Sequence, residues 1–138
     1  MNDNFENNFF GNVIYAYTRQ QAINDGVLVD VTETKEAKEA GIKYPIAVTR
    51  AVWDAYIEWT EKDSDRQTYQ DQTGRLWDVL WMFRLNARSC EDDCFLYTFF
   101  VVPRGGRGTK ARQKQLKAVI GCGDNCEPVI TIMMPDED

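Results

Sequence analysis

The sequence predicts an α+β layered domain, an antiparallel sheet of three to five strands with three or four helices packed on it. Three observations carry that expectation. Apolar residues recur at helical spacing from Arg75 to Arg88. The last third of the chain switches to dense β-branched and aromatic runs at 95–102, 116–120 and 129–133. Short turns join those runs, which favours an antiparallel meander. A chain of 138 residues suits a single domain over residues 1–138, and at that size about two-thirds of the unfolded surface can be buried.

Taken in order, residues 1–11 form a polar, loosely ordered lead. Val13-Ile14-Tyr15-Ala16-Tyr17 has the β-branched and aromatic content of a short strand. Thr18 with Gln21 three residues later has capping-box spacing, and Asn24-Asp25-Gly26 ends the short helix. Residues 27–31 predict a second strand. Thr32 or Thr34 caps a helix from Lys35 to Ala40, which Gly41 terminates, and Tyr44-Pro45 forces an extended step. Thr49 caps a helix from Arg50 to Lys62 whose Val52, Tyr56 and Trp59 form a buried stripe. Asp63 to Gly74 is a polar connection of a length that often carries function. In the helix from Arg75 to Arg88, Leu76, Val79, Leu80, Phe83 and Ala87 share one face. Trp77, Trp81 and Met82 widen it, so the helix is largely buried. An acidic tail, residues 135–138, follows the last strand.

Composition narrows the function classes. The chain has no histidine, which removes Ser–His and Cys–His nucleophile pairs, His-ligated zinc and histidine acid–base catalysis. Sixteen Lys and Arg against 22 Asp and Glu give a net charge of −6, which repels phosphates at long range. No apolar run approaches the roughly 20 residues of a membrane span. The first residues lack a basic-then-apolar leader. The expectation is a cytoplasmic protein with reduced cysteines and no membrane partner.

Three sets of residues carry chemistry worth weighing. Cys90 with Cys94 and Cys122 with Cys126 make two C-x3-C pairs, each beside a predicted strand. If those strands are neighbours, four thiolates could converge on a structural zinc, whereas unlinked thiols are the simpler alternative. Arg104, Arg107, Lys110, Arg112, Lys114 and Lys117 crowd around Gly105, Gly106 and Gly108. Such a loop could embrace phosphates or nucleic acid, or stand as a solvated hairpin tip. No aromatic residue is interleaved to stack bases. Tyr17, Arg19 and Asp25 cluster at the first helix, and Asp71 and Arg75 at the start of the main one. Either group could line a polar site with a carboxylate base and an Arg anion holder. Helix-dipole compensation accounts for Asp71 equally well.

Three blocks carry a resemblance: residues 13–32 (VIYAYTRQQAINDGVLVDVT), residues 70–82 (QDQTGRLWDVLWM) and residues 127–135 (EPVITIMMP), with the Tyr44-Pro45 and Val52-Trp53 steps between them. Across nearly its whole length the chain resembles an uncharacterised family of small bacterial proteins, a domain of unknown function often carried on plasmids, phages and integrated elements. The resemblance implies a one-domain accessory protein of a mobile element with no assigned activity. It places Tyr17, Arg19, Asp25, Asp71 and Arg75 in the family pattern. Relatives tend to have Gly or Pro where this chain has Cys122 and Cys126, which implies that the cysteines are a local feature.

The leading function is therefore a non-enzymatic binding protein whose partner is another protein, working without a cofactor. The alternative is a zinc- or phosphate-binding nucleic-acid module using the cysteines and the basic loop. A third reading is a small enzyme acting on a nucleotide through Tyr, Arg and carboxylate groups.

Overall fold

The computed structural model describes residues 17–138. The lead at 1–11 and all but Tyr17 of the strand expected at 13–17 lie outside the described residues. Thr18 caps α1 (Arg19–Asn24) through the expected reciprocal box with Gln21, and Thr34 caps α2 (Lys35–Glu39). Gly26 (φ 81°) and Gly41 (φ 80°) follow these helices in the left-handed conformation that glycine adopts without strain. Between and after them lie β1 (Leu28–Asp30) and β2 (Ile46–Thr49). β2 was foreseen only as the extended step after Tyr44-Pro45. All four of its residues are buried, so it lacks the alternation that marks a half-exposed strand.

Thr49 caps α3 (Arg50–Val52), which runs straight into a π-helical turn, Trp53–Ile57. The expected helix to Lys62 is thus interrupted. The Glu58 N–H donates to Trp53 O at 2.8 Å, and the chain turns extended at Glu58. A second capping box, Thr60 with Asp63, then starts α4 (Glu61–Arg66), so the expected polar connection opens as a helix. Asp71 caps the long α5 (Gln72–Ala87). The chain finishes with β3 (Cys94–Val101), β4 (Arg112–Cys122) and β5 (Pro128–Met133).

The five strands form one sheet in the order β1-β2-β5-β4-β3. The α+β class and the strand number agree with the sequence, and five helical segments are present among the described residues. The pairing differs in one place. β2 and β5 run parallel, with Ile46 beside Ile130 and Val48 beside Ile132, while every other pair is antiparallel. The long excursion between them, through α3 to β4, leaves the chain free to return in either direction.

One face of the sheet carries Tyr97, Phe99, Leu116, Ala118, Ile130 and Ile132, buried beneath Leu76, Val79, Leu80 and Phe83 of α5. Each such side chain contributes about 1.5–3 kcal/mol by leaving water. The Tyr97 hydroxyl satisfies itself by donating to Val79 O at 3.0 Å. On the opposite face, α1 and the C-terminal tail cover the β1-β2-β5 half. Arg19 reaches Thr131 there, and Glu137 accepts from the Thr49 hydroxyl at 2.8 Å. The β3 end of that face leaves Leu96 and Phe100 exposed.

Candidate functional site

Three of the buried polar residues, Asp63, Gln67 and Arg75, gather where α4, the π-helical turn and α5 meet the segment after β3. Early termination of the helix at Ile57 leaves main-chain carbonyls without helical partners. Arg75, 3% exposed, takes them up. Its Nε donates to Ile57 O (3.3 Å), its Nη2 to Ala55 O (3.3 Å), and its Nη1 to Val102 O (2.8 Å) and Gln70 Oε1 (2.7 Å). The guanidinium also lies 4.3 Å from the centre of the Trp59 ring. Burial lowers the Arg75 pKa to about 10, which still leaves the group charged at neutral pH.

Asp63 and Gln67 extend the grip. Burial pushes the Asp63 carboxyl up, but hydrogen bonds from the Thr60 main chain and hydroxyl and from Arg104 outweigh it and hold the pKa below 3.8. Arg104 pairs with Asp63 at 2.9 Å and with Glu58 at 3.3 Å. The Gln67 amide donates to Pro103 O (3.0 Å) and Gly108 O (2.7 Å) and accepts from Gly105 N–H (2.9 Å). The glycine-rich loop is therefore clamped at its base.

Two adjoining clefts of about 400 and 300 Å³ lie over this cluster and share Tyr69, Gln70 and Asp71. Tyr69 projects between them with 85% of its surface exposed. The half-buried Trp77, stacked on Trp81 at 5.3 Å, borders one cleft, and the edge of Trp59 borders the other. Glu61, Asp65, Asp71 and Asp78 give the groove an acidic rim. Burial raises the Asp78 pKa, against a smaller lowering by Arg75.

The residues singled out from sequence are not gathered into one site: Tyr17 meets Asp25, Asp71 and Arg75 border one cleft, and Arg19 lies apart from both pairs. Tyr17 donates to Asp25 Oδ2 at 2.7 Å on an exposed surface, and that bond raises the tyrosine's pKa. Arg19 turns away from Asp25 and donates to Thr131 Oγ1 and Ile130 O, both at 2.7 Å. Burial lowers the Arg19 pKa, opposed by Asp30, Asp124 and Glu127. Asp71 accepts from Gly74 N–H at 2.7 Å as a helix cap. Arg19 anchors to the face of the sheet opposite α5, so it shares no pocket with Asp71 or Arg75.

The cysteines lie around the β3 and β4–β5 ends. Cys94 pairs with Val119 and Cys122 with Pro128, and Cys126 sits in the β4–β5 turn at φ 64°. Cys94, Cys122 and Cys126 are exposed and Cys90 is half-buried. Among the described residues no three Cys, Asp or Glu side chains converge as metal ligands would. Of the basic segment, Arg104 is taken by Asp63, and Lys117 donates to the main-chain carbonyl of Glu137. Arg107, Arg112 and Lys114 line a cleft of about 310 Å³ with Gly105, Gly106 and Gly108, and Lys110 is exposed nearby. No helix among the described residues is long and apolar enough to cross a membrane.

Comparison with known families matches residues 1–138 to a model described as "Family of unknown function (DUF6573)". The chain belongs to that family. Comparison with curated proteins and with solved structures finds no match. The family brings no activity with it, so its functional reading rests on the geometry above. Sequence reasoning passed over Tyr69 and Gln67, and took Trp77 as widening the apolar face of the main helix. The available signal was the Thr60-x-x-Asp63 capping box, which starts a helix inside the supposed loop and puts Asp63 and Gln67 one turn apart.

Proposed function

We propose that this protein is a non-enzymatic binding module that receives a basic segment of another protein in the groove around Tyr69. The observation that carries the reading is that 85%-exposed aromatic ring, set between two clefts rimmed by carboxylates. An exposed tyrosine offers a large rigid contact at little entropic cost, and the acidic rim complements Lys and Arg. Catalysis is disfavoured because the polar groups beneath are spent on structure. Arg75 donates to three carbonyls and Gln70, and Asp71 caps a helix. The resemblance to proteins of mobile elements supports a partner in the host cell or in the element itself.

Affinity capture compares the wild-type chain with a Tyr69→Ser/Asp65→Lys variant as baits. A basic protein retained by the wild type, released by salt and lost on the variant is the expected outcome. Equal retention on both baits removes the groove from the reading.

The basic loop supports a second reading as an anion or nucleic-acid site, because Arg107, Arg112 and Lys114 surround an open cleft with no acidic residue in its wall. Its check is the salt slope of single-stranded oligonucleotide binding, which must flatten in an Arg107→Ala/Lys114→Ala variant.

A further inference from the structure

The two edges of the sheet are guarded very differently. β1 is three residues long and carries the exposed Asp30, a short and charged edge of the kind that resists strand addition. β3 is eight residues long, Cys-Phe-Leu-Tyr-Thr-Phe-Phe-Val, without a charge, proline or glycine. It pairs with β4 along its whole length on one side. On the other side no main-chain group of residues 95–101 has a hydrogen-bond partner among the described residues. Two of its outward side chains are large and apolar, Leu96 at 51% and Phe100 at 65% exposure.

We propose that β3 pairs antiparallel with β3 of a second copy, joining two five-stranded sheets into one across a two-fold axis near Thr98. The strand is self-complementary about that residue. Tyr97 then faces Phe99 of the second copy on the covered side, and Leu96 faces Phe100 on the open side. Phe95 falls opposite Val101. Every such pair is aromatic with aromatic or aromatic with aliphatic, the combinations that stabilise cross-strand neighbours.

Charge fixes the same direction and register. Glu91, Asp92 and Asp93 immediately precede β3, while Arg107 follows it and Arg112 stands beside Val101 on β4. An antiparallel two-fold lays the acidic end of each strand beside the basic end of the other. A parallel pairing would instead stack acid on acid and base on base. The surface is self-complementary in shape, in hydrogen-bonding groups and in charge, as a two-fold interface requires. It uses none of the residues that line the Tyr69 groove and does not depend on that reading.

An eight-residue ladder is smaller than a standard interface of about 800 Å² per partner, which sets the expected dissociation constant on the order of micromolar. Light scattering after size exclusion, over a concentration series of the full chain, reads the mass directly. The expected result is a concentration-dependent rise from 16.0 kDa towards twice that value. Leu96→Lys/Phe100→Lys alters only exposed side chains and returns the protein to the monomer mass at every concentration. Asp92→Arg weakens the dimer by about tenfold, because the two-fold axis loses two symmetry-related charge pairs at once. Adding Arg107→Asp in the same chain restores it, because the reversed charges meet across the axis. The proposal is overturned by a wild-type chain that stays monomeric throughout the series. A dimer that survives both the lysine pair and Asp92→Arg also overturns it, since its interface then lies elsewhere.

Discussion

Replacing Arg75 by Met keeps the unbranched stem of the side chain and removes its donors. The carbonyls of Ile57 and Val102 then have no hydrogen-bond donor among the described residues, while Ala55 O retains the Arg104 N–H at 3.1 Å. Ile57 is fully buried and Val102 is 3% exposed, so water cannot substitute without opening the junction. Each orphaned buried acceptor costs about 1–3 kcal/mol. Relief from burying a guanidinium returns part of that, since buried charge is itself expensive. The net loss is about 2–4 kcal/mol, which for a domain of this size lowers Tm by roughly 6–16 °C. Urea denaturation followed by tryptophan fluorescence, with calorimetry beside it, measures both quantities. Arg75→Lys is the control. A point charge cannot fork between carbonyls on three segments, so lysine recovers less than half of the loss. A Met variant within about 1 kcal/mol of wild type, or a Lys variant equal to it, would refute carbonyl capture as the role of Arg75.

Other outcomes follow from the same junction and from the surface. Gln67→Ala frees the base of the glycine-rich loop, and limited trypsin digestion then cuts after Arg104 and Arg107 faster than in wild type. The accompanying loss of stability is about 1–3 kcal/mol. The Asp63 carboxyl is held below 3.8 in the folded chain. The stability it contributes is therefore present above the unfolded carboxylate range and lost as pH falls through the folded value. Wild type consequently outlasts Asp63→Asn at neutral pH, and their difference shrinks below pH 3.8, as acid titration of the urea midpoint will show. For the cysteines, native mass spectrometry is expected to give the metal-free chain mass of 16.0 kDa. A thiol reagent should modify the exposed Cys94, Cys122 and Cys126 before the half-buried Cys90. One bound zinc, lost on denaturation, would reverse that expectation.

Local chemistry was the legible part of this fold. Thr18, Thr34, Thr49 and Asp71 all cap helices through side-chain bonds to nearby amides, an interaction contained within four residues of sequence. The apolar run of β3 and the apolar face of α5 were visible for the same reason, although so dense a run reads as a central strand and β3 lies at the sheet edge. What depended on distant partners was not. The helix from Arg50 stops at Ile57 because Arg75 and the Arg104 amide are there to receive its carbonyls, eighteen and more residues away in sequence. β2 hides its period because both of its faces are covered. Tyr17, Arg19 and Asp25 are adjacent in the chain, but Thr131 and Ile130 offer Arg19 better acceptors on the sheet, and the cluster splits.

The position of β5 bears on how the chain reaches this structure. The last strand to be made is the middle of the sheet, between β2 from the first third and β4 from the last. A growing chain can form the β1–β2 pair or the β3–β4 hairpin by itself, but no strand joins the two parts of the sheet until residues 128–133 arrive. Assembly then needs contacts of long sequence separation closed nearly at once, a topology that folds slowly. Ile46 and Val48 await Ile130 and Ile132, and until then the half-built sheet shows water both apolar flanks of the gap. Substitutions in β5 are accordingly the ones most apt to trap the protein before it is finished.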